Sequence, residues 1–199
     1  MELGAPGLQT ALIRLEPLDE QHREFLRTSG AAEHMWTSMP LIATGTNLDA
    51  YFDHSIRMAK LGTGQAMAAI RLSDEGMVGL AAFLNPNRMN RRTRIGYNWI
   101  EPSLRGSDIA LHIHYLMLKR AYQWRARRVA WWLSEKNDRA IASVEKLGAV
   151  REGVLRQHTR FADGSWADLV VLSLVGDEIR DAMAALGEQI EARAADTDT

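Results

Sequence analysis

None of the 199 residues is a cysteine, which excludes disulfides, thiolate metal sites and a cysteine nucleophile and fits a reducing compartment. Long apolar runs are missing too. None approaches the roughly 20 residues a helix needs to cross a bilayer, so no membrane association is expected. The first residues, Met1-Glu-Leu-Gly-Ala-Pro-Gly, have neither a basic start nor an apolar core, so a secretory signal is not expected. Nor is there an excess of charge. The net is -1, which gives the chain no general attraction to nucleic acid or anionic lipid. Low-complexity stretches and internal repeats are absent. What remains is a cytoplasmic protein of one domain, or one domain with an appendage, 46% apolar and able to build a core.

The charge that is present is unevenly placed. From Gly176 onward there are seven acids and two bases, a net of -5, which leaves +4 for the rest. Residues 1–10 read as a flexible leader. An alternating run at 12–16, ended by Pro17, predicts a first strand. Asp19 is placed to cap a helix through Ser29, and Asn47 or Asp49 to start another that stops at Gly62. Three strands are expected at 65–72, 77–84 and 92–100. Ser73-Asp-Glu-Gly76 joins the first two, and Asn85-Pro-Asn87 is a turn. A buried-face helix follows at 109–124, then a short strand at 129–133 and a helix at 138–147. A hairpin of 150–161 with 166–175 comes next, and an amphipathic tail helix closes the chain. Strands first and then alternating strands and helices imply an α/β (or α+β) domain. Its sheet is mixed, mostly antiparallel and of about seven strands, with helices on both faces.

The most informative stretch is 101–153. Glu101-Pro-Ser-Leu-Arg-Gly-Ser-Asp-Ile-Ala110 is a Pro-initiated, Gly-bearing turn that opens a helix, and backbone donors at a helix start suit an anion. Trp99-Ile-Glu-Pro-Ser-Leu-Arg-Gly-Ser-Asp-Ile-Ala110, Asn137 and Glu145-Lys-Leu-Gly-Ala-Val-Arg-Glu-Gly-Val-Leu155 together resemble the GCN5-related N-acetyltransferases, over about residues 11–175. Within that superfamily the chain is most similar to the RimJ/RimL-type ribosomal-protein branch. The resemblance implies an acetyltransferase domain at 11–175 and an added helix and frayed tail at 176–199. It also implies acetyl-CoA as cofactor, with its diphosphate on Arg105, Gly106, Ser107, Asp108, Ile109 and Ala110. The pantetheine arm is then expected between splayed strands, along Asn98, Trp99 and Ile100, with 129–133 opposite and Asn137 contacting it. The implied chemistry is direct attack of a primary amine on the thioester, whose oxyanion is held by a strand amide near Ile100. The acceptor is a protein N-terminus or a small-molecule amine, and no metal is called for.

Three positions depart from the family pattern. Asp108 stands where a small residue is usual. Its carboxylate either repels the diphosphate, at about 4 kcal/mol for two charges near 4 Å and an effective dielectric of 20, or turns outward or caps the helix. Ala140 replaces a serine often proposed as the acid. Gln157-His158-Thr159 falls where some relatives carry a glutamate. Glu101, Ser134 and His158 are therefore the candidate catalytic residues, chosen by position and by the titration range of histidine. Trp36, Met39, Tyr51 and Phe52 either line the acceptor pocket or cover the sheet.

Other features read blandly. His112 and His114 lie two apart on a helix and point to different sides, which favours packing or solvent contact over chelation. Trp131 and Trp132 should face opposite sides of the sheet. Arg88, Arg91, Arg92 and Arg94 form a basic loop, read as a solvated face. An acidic acceptor or nucleic acid docking there is the rival, and nucleic acid is not expected. The stripe Ile179, Met183, Leu186 and Ile190 either packs on its own domain or forms a homodimer. Asp108 and Ala140 also motivate a second hypothesis, a catalytically impaired acyl-CoA-binding or sensor module on the same fold.

Overall fold

A computed structural model describes residues 2–29 and 39–197. Its elements are β1 (Leu8–Gln9), β2 (Ile13–Pro17), α1 (Arg23–Thr28), α2 (Leu48–Leu61), β3 (Gly64–Arg71), β4 (Met77–Asn87) and β5 (Arg92–Ile100). Then follow α3 (Ile109–Gln123), β6 (Arg128–Ser134), α4 (Asp138–Glu145), β7 (Val150–Arg160), β8 (Trp166–Val175) and α5 (Glu178–Thr197). The strands form one sheet of eight in the order β1-β2-β3-β4-β5-β6-β8-β7. Every neighbouring pair is antiparallel except β5 and β6. The mixed, mostly antiparallel architecture agrees with the expectation, with eight strands in place of seven.

α2, α4 and the 3-10 turn before α1 begin where short polar side chains satisfy free N–H groups. Asn47 accepts from the Ala50 N–H at 2.9 Å at the start of α2. Asp19 accepts from Gln21 while its own N–H donates to the His22 ring, which opens the 3-10 turn before α1. The apolar residues sort into two cores, one on each sheet face. Leu26, Tyr51, Phe52 and Met58 of α1 and α2 cover one face. Ile113, Leu116 and Met117 of α3, Ile141 and Val144 of α4, and Ile179 and Leu186 of α5 cover the other. The tail helix therefore packs within its own domain: Ile179, Ala182 and Leu186 are buried, and Gly187 faces Tyr115. That takes up the stripe whose alternative use was a homodimer.

Two expectations need correction. Of the supposed flexible leader at 1–10, residues 2–10 are described and are packed: Leu3 and Leu8 are buried, and β1 pairs with β2. The cause lies far along the chain. The fully buried Arg120 of α3 donates to the carbonyls of Ala5 at 2.6 Å, Pro6 at 3.1 Å and Glu2 at 3.3 Å. The carbonyls of Ala5 and Pro6 have no other donor among the described residues, while that of Glu2 also accepts from the Ala5 N–H at 3.2 Å. Arg120→Ala is expected to cost about 2–4 kcal/mol, because those acceptors lose their donor inside the protein. Urea unfolding, with faster proteolysis of residues before Thr10, checks this. A variant as stable as the parent would contradict the clamp.

The second correction concerns Asn85-Pro-Asn87, expected as a turn. β4 continues through it, and the pairing with β5 breaks register between Leu84 and Asn87. Asn85 takes a φ of 49°, so the proline sits in an irregularity rather than in a regular ladder.

Candidate active site

β5 and β6 run parallel and pair only at Arg92 with Arg128, Thr93 with Val129 and Arg94 with Ala130. Beyond that they part, while β6 stays paired with β8 as far as Ser134 with Leu169. The cause is a bulge in β5. Leu80 of β4 faces Trp99 and Ala82 faces Gly96, so two steps on β4 match three on β5. Tyr97 takes up the extra residue with a φ of 53°, a conformation an aromatic residue adopts only under constraint. The bulge also inverts the alternation of β5. Ile95 and Ile100 both face α3, while Tyr97 and Trp99 face α2.

The parted strands open a cleft of about 1370 Å³. Asn98, Trp99, Ile100, Arg105, Ala110 and Asn137, all expected to hold a cofactor, line it. Gly106, Ser107, Asp108 and Ile109 form the turn linking Arg105 to Ala110. Gly106 has a φ of 92°, and the Ser107 hydroxyl closes the turn onto the Leu104 carbonyl at 2.6 Å. The N–H groups of Gly106, Asp108, Ala110 and Leu111 have no protein acceptor among the described residues. These are the free donors of a helix start, beside the Arg105 charge, and they fit a diphosphate. Asp108 does not cap the helix; its carboxylate pairs with Arg193 of α5. The charge that threatened the turn is thus met by a cation from the tail helix.

Asn137 caps α4, its side-chain oxygen accepting from the Ala140 N–H at 3.1 Å. That bond orients the side chain and leaves its NH2 donors for the cleft. α3 can lie close under the parted strands because β4 carries Gly79 there. A Cβ at that position would stand 2.8 Å from the Ile113 side chain and 2.9 Å from the Trp99 carbonyl.

The candidate proton-transfer residues divide. Ser134 and His158 line the cleft. Glu101 does not: it accepts from the Ser103 hydroxyl at 3.0 Å, outside the lining. Of the acceptor candidates, Met39 lines the cleft. Tyr51 and Phe52 are instead the sheet cover, fully buried under α2, with the Tyr51 hydroxyl donating to the Pro40 carbonyl at 2.8 Å. Trp36 lies outside the described residues.

Two residues of the cleft were read blandly in the sequence. His114 lines it from the α3 side, one turn after Ala110. The side chain is half-buried, and desolvation by the residues packed around it pushes its pKa down to about 4, so it is neutral at pH 7. The spacing of four from Ala110 was the signal that places it there. His112, by contrast, shares a hydrogen bond of 2.8 Å with Thr10. Arg94 belongs to β5 rather than to a basic loop. Its guanidinium carbon lies over the Trp132 ring at 3.9 Å from the centroid, and His158 makes a T-shaped contact with the same ring at 5.1 Å. Trp131 and Trp132 do face opposite sides, Trp131 fully buried toward α3 and Trp132 in the cleft.

The sequence profile of the acetyltransferase (GNAT) family matches residues 31–149. The chain belongs to that family and is an acetyltransferase by it. No curated protein matches it. Among solved structures, a GCN5-related N-acetyltransferase from Brucella melitensis aligns with a TM-score of 0.77 at 20% identity, covering 91% of this chain and 83% of that one. Mycobacterium smegmatis RimJ in complex with CoA-disulfide aligns at 0.72 and 18%, covering 88% and 89%. Spermidine N-acetyltransferase from Vibrio cholerae, in complex with CoA and spermine, aligns at 0.69 and 14%, covering 85% and 99%. At such identities the likeness is one of fold. Among the described residues no helix is long and apolar enough to cross a membrane.

Proposed function

We propose that the chain is an acetyl-CoA-dependent N-acetyltransferase that acetylates a primary amine by direct attack, within the RimJ/RimL-like branch. The observation that carries this reading is the parting of β5 from β6 next to a turn with four unused N–H donors. The cofactor supplies an activated acetyl group as a thioester. The protein's part is to hold and aim it. Gly106, Asp108, Ala110, Leu111 and Arg105 take the diphosphate. The free edges of Asn98 to Ile100 and of Trp131 to Leu133 take the pantetheine amides, as an added strand would. Asn137 donates to that arm, and a β5 amide near Ile100 stabilises the developing oxyanion.

Proton transfer falls to His114. His114, a neutral imidazole beneath the gap, takes the proton as the amine nitrogen gains charge in the attack. It returns that proton to the departing thiolate, the step for which relatives offer a serine where this chain has Ala140. His158 and Ser134 remain on the acceptor side to orient the amine through water. His114→Leu, an apolar replacement a helix tolerates, is expected to lower kcat about 100-fold with little change in acetyl-CoA affinity. Steady-state rates beside calorimetric titration check this, and an unchanged kcat removes His114 from the mechanism.

The reading itself is tested by thiol release from acetyl-CoA across a panel of primary amines. Amine-dependent release is the expected result. Tight acetyl-CoA binding with no release for any amine would instead favour the binding or sensor module.

A further inference from the structure

We infer that the acceptor is an amine that carries its own carboxylate, an amino carboxylic acid, and that Arg94 is the residue that selects it. The inference rests on the acetyltransferase reading and concerns the side of the cleft that faces α2. Three observations converge there.

First, Arg94 has a fixed position but no anion. Arg14, Arg23, Arg71 and Arg128 each have a carboxylate within salt-bridge distance. Arg94 has none among the described residues, and its side chain donates no hydrogen bond to protein there. It is nevertheless half-buried, and desolvation by its surroundings works against its charge. An arginine in such a place ordinarily has a partner.

Second, the guanidinium has an aromatic support. Its carbon lies over the Trp132 ring at 3.9 Å from the centroid, and His158 meets that ring in a T-shaped contact with planes at 86°. A guanidinium resting on a ring by a cation–π contact spends no N–H there, and a carboxylate matches its fork with two parallel bonds.

Third, the charge of the lining is one-sided. With Arg105 assigned to the diphosphate, Arg94, Lys136 and Arg139 are the remaining cations of the lining, and Asp163 is its one carboxylate among the described residues. Asp163 is already engaged, by the Ser165 N–H at 2.8 Å and the Ser165 hydroxyl at 2.7 Å, and it feels Lys136. A polyamine would find no free anion there and several cations. An amino acid would find one place for its carboxylate, with Met39, Met58, Leu61 and Phe161 to cover an apolar body. With the carboxylate anchored on Arg94, its amine is directed to the gap between β5 and β6, because Arg94 is the last β5 residue paired to β6 before that gap opens.

The test uses the full chain with the twenty standard L-amino acids, each beside its carboxamide, and spermidine. Acetylation is followed by thiol release. Binding of the same compounds is followed by thermal shift of the coenzyme A-loaded protein, which needs no turnover. The expected result is that the best acceptor is an acid, favoured at least 30-fold in kcat/KM over its amide. Arg94→Gln is expected to collapse that ratio to within about 3-fold at unchanged coenzyme A affinity, and Arg94→Lys to restore part of it. Preference for spermidine or for the amides, in rate or in binding, overturns the inference. So does an acid-to-amide ratio that survives Arg94→Gln. If no compound releases thiol, the wider amine panel decides the acetyltransferase reading, while the binding preference still decides the role of Arg94.

Discussion

Replacing Gly106 with glutamate is expected to weaken coenzyme A binding at least 100-fold while the domain stays folded. The expectation follows from two features of the turn. Gly106 has a φ of 92°, where a side chain strains the backbone by about 1–2 kcal/mol. A Cβ there meets no atom within 4 Å, so the residue fits in space and the fold survives. The added carboxylate then stands among the free N–H donors of Asp108, Ala110 and Leu111, where a diphosphate belongs. Two like charges near 4 Å cost about 4 kcal/mol at an effective dielectric of 20, which alone approaches a thousandfold. Titration calorimetry reads the affinity, and circular dichroism with a melting curve reads the fold. Gly106→Asn, which tolerates a positive φ without the charge, should lose far less. Full affinity in Gly106→Glu would remove this turn from the site.

The second large effect separates two adjacent tryptophans. Trp131→Ala is expected to destabilise the domain by about 3–5 kcal/mol, the range for emptying an aromatic site in a core. Trp131 is fully buried on the α3 side, among Leu116, Met117 and Val170. Trp132→Ala should cost much less stability, because that ring lines the cleft and is only partly buried. It should instead impair acceptor use, since Arg94 and His158 both rest on it. Urea midpoints and kcat/KM measured on both variants test the contrast. Equal losses of stability would mean that Trp132 belongs to the core.

Much of this was legible in the sequence because it is local. The Pro-initiated turn, the helix beginning at Ile109, the helix beginning at Asp138 and strand β5 at 92–100 each rest on neighbouring residues, and each stands where the pattern put it. What escaped depends on distant contacts. Leu8 and Gln9 form a strand because β2 offers an edge and Arg120, more than a hundred residues away, satisfies the leader's carbonyls. The bulge at Tyr97 has no local signature, since nothing about tyrosine favours a left-handed backbone. The pairing across β4 and β5 imposes it. That same bulge turns Tyr97 and Trp99 toward α2. Tyr51 and Phe52 were equally apt as pocket or cover by composition, and the sheet beneath α2 makes them cover. Asp108 was ambiguous because its partner, Arg193, lies at the far end of the chain. Arg94 sat in a run of arginines and looked like one of them. Arg94 shares a strand face with Arg92, but Arg91 and Arg92 at the start of β5 are exposed, and only the distant Trp132 ring of β6 sets Arg94 apart.

The central claim is that the gap between β5 and β6 receives the acyl carrier and the following turn grips its diphosphate. A crystal structure of the protein grown with acetyl-CoA tests this most directly. The account predicts the diphosphate within hydrogen-bonding distance of the Gly106, Asp108, Ala110 and Leu111 N–H groups, and the pantetheine arm lying between the parted ends of β5 and β6. Cofactor bound elsewhere on the molecule, or β5 and β6 closed on each other along their full length, would contradict it.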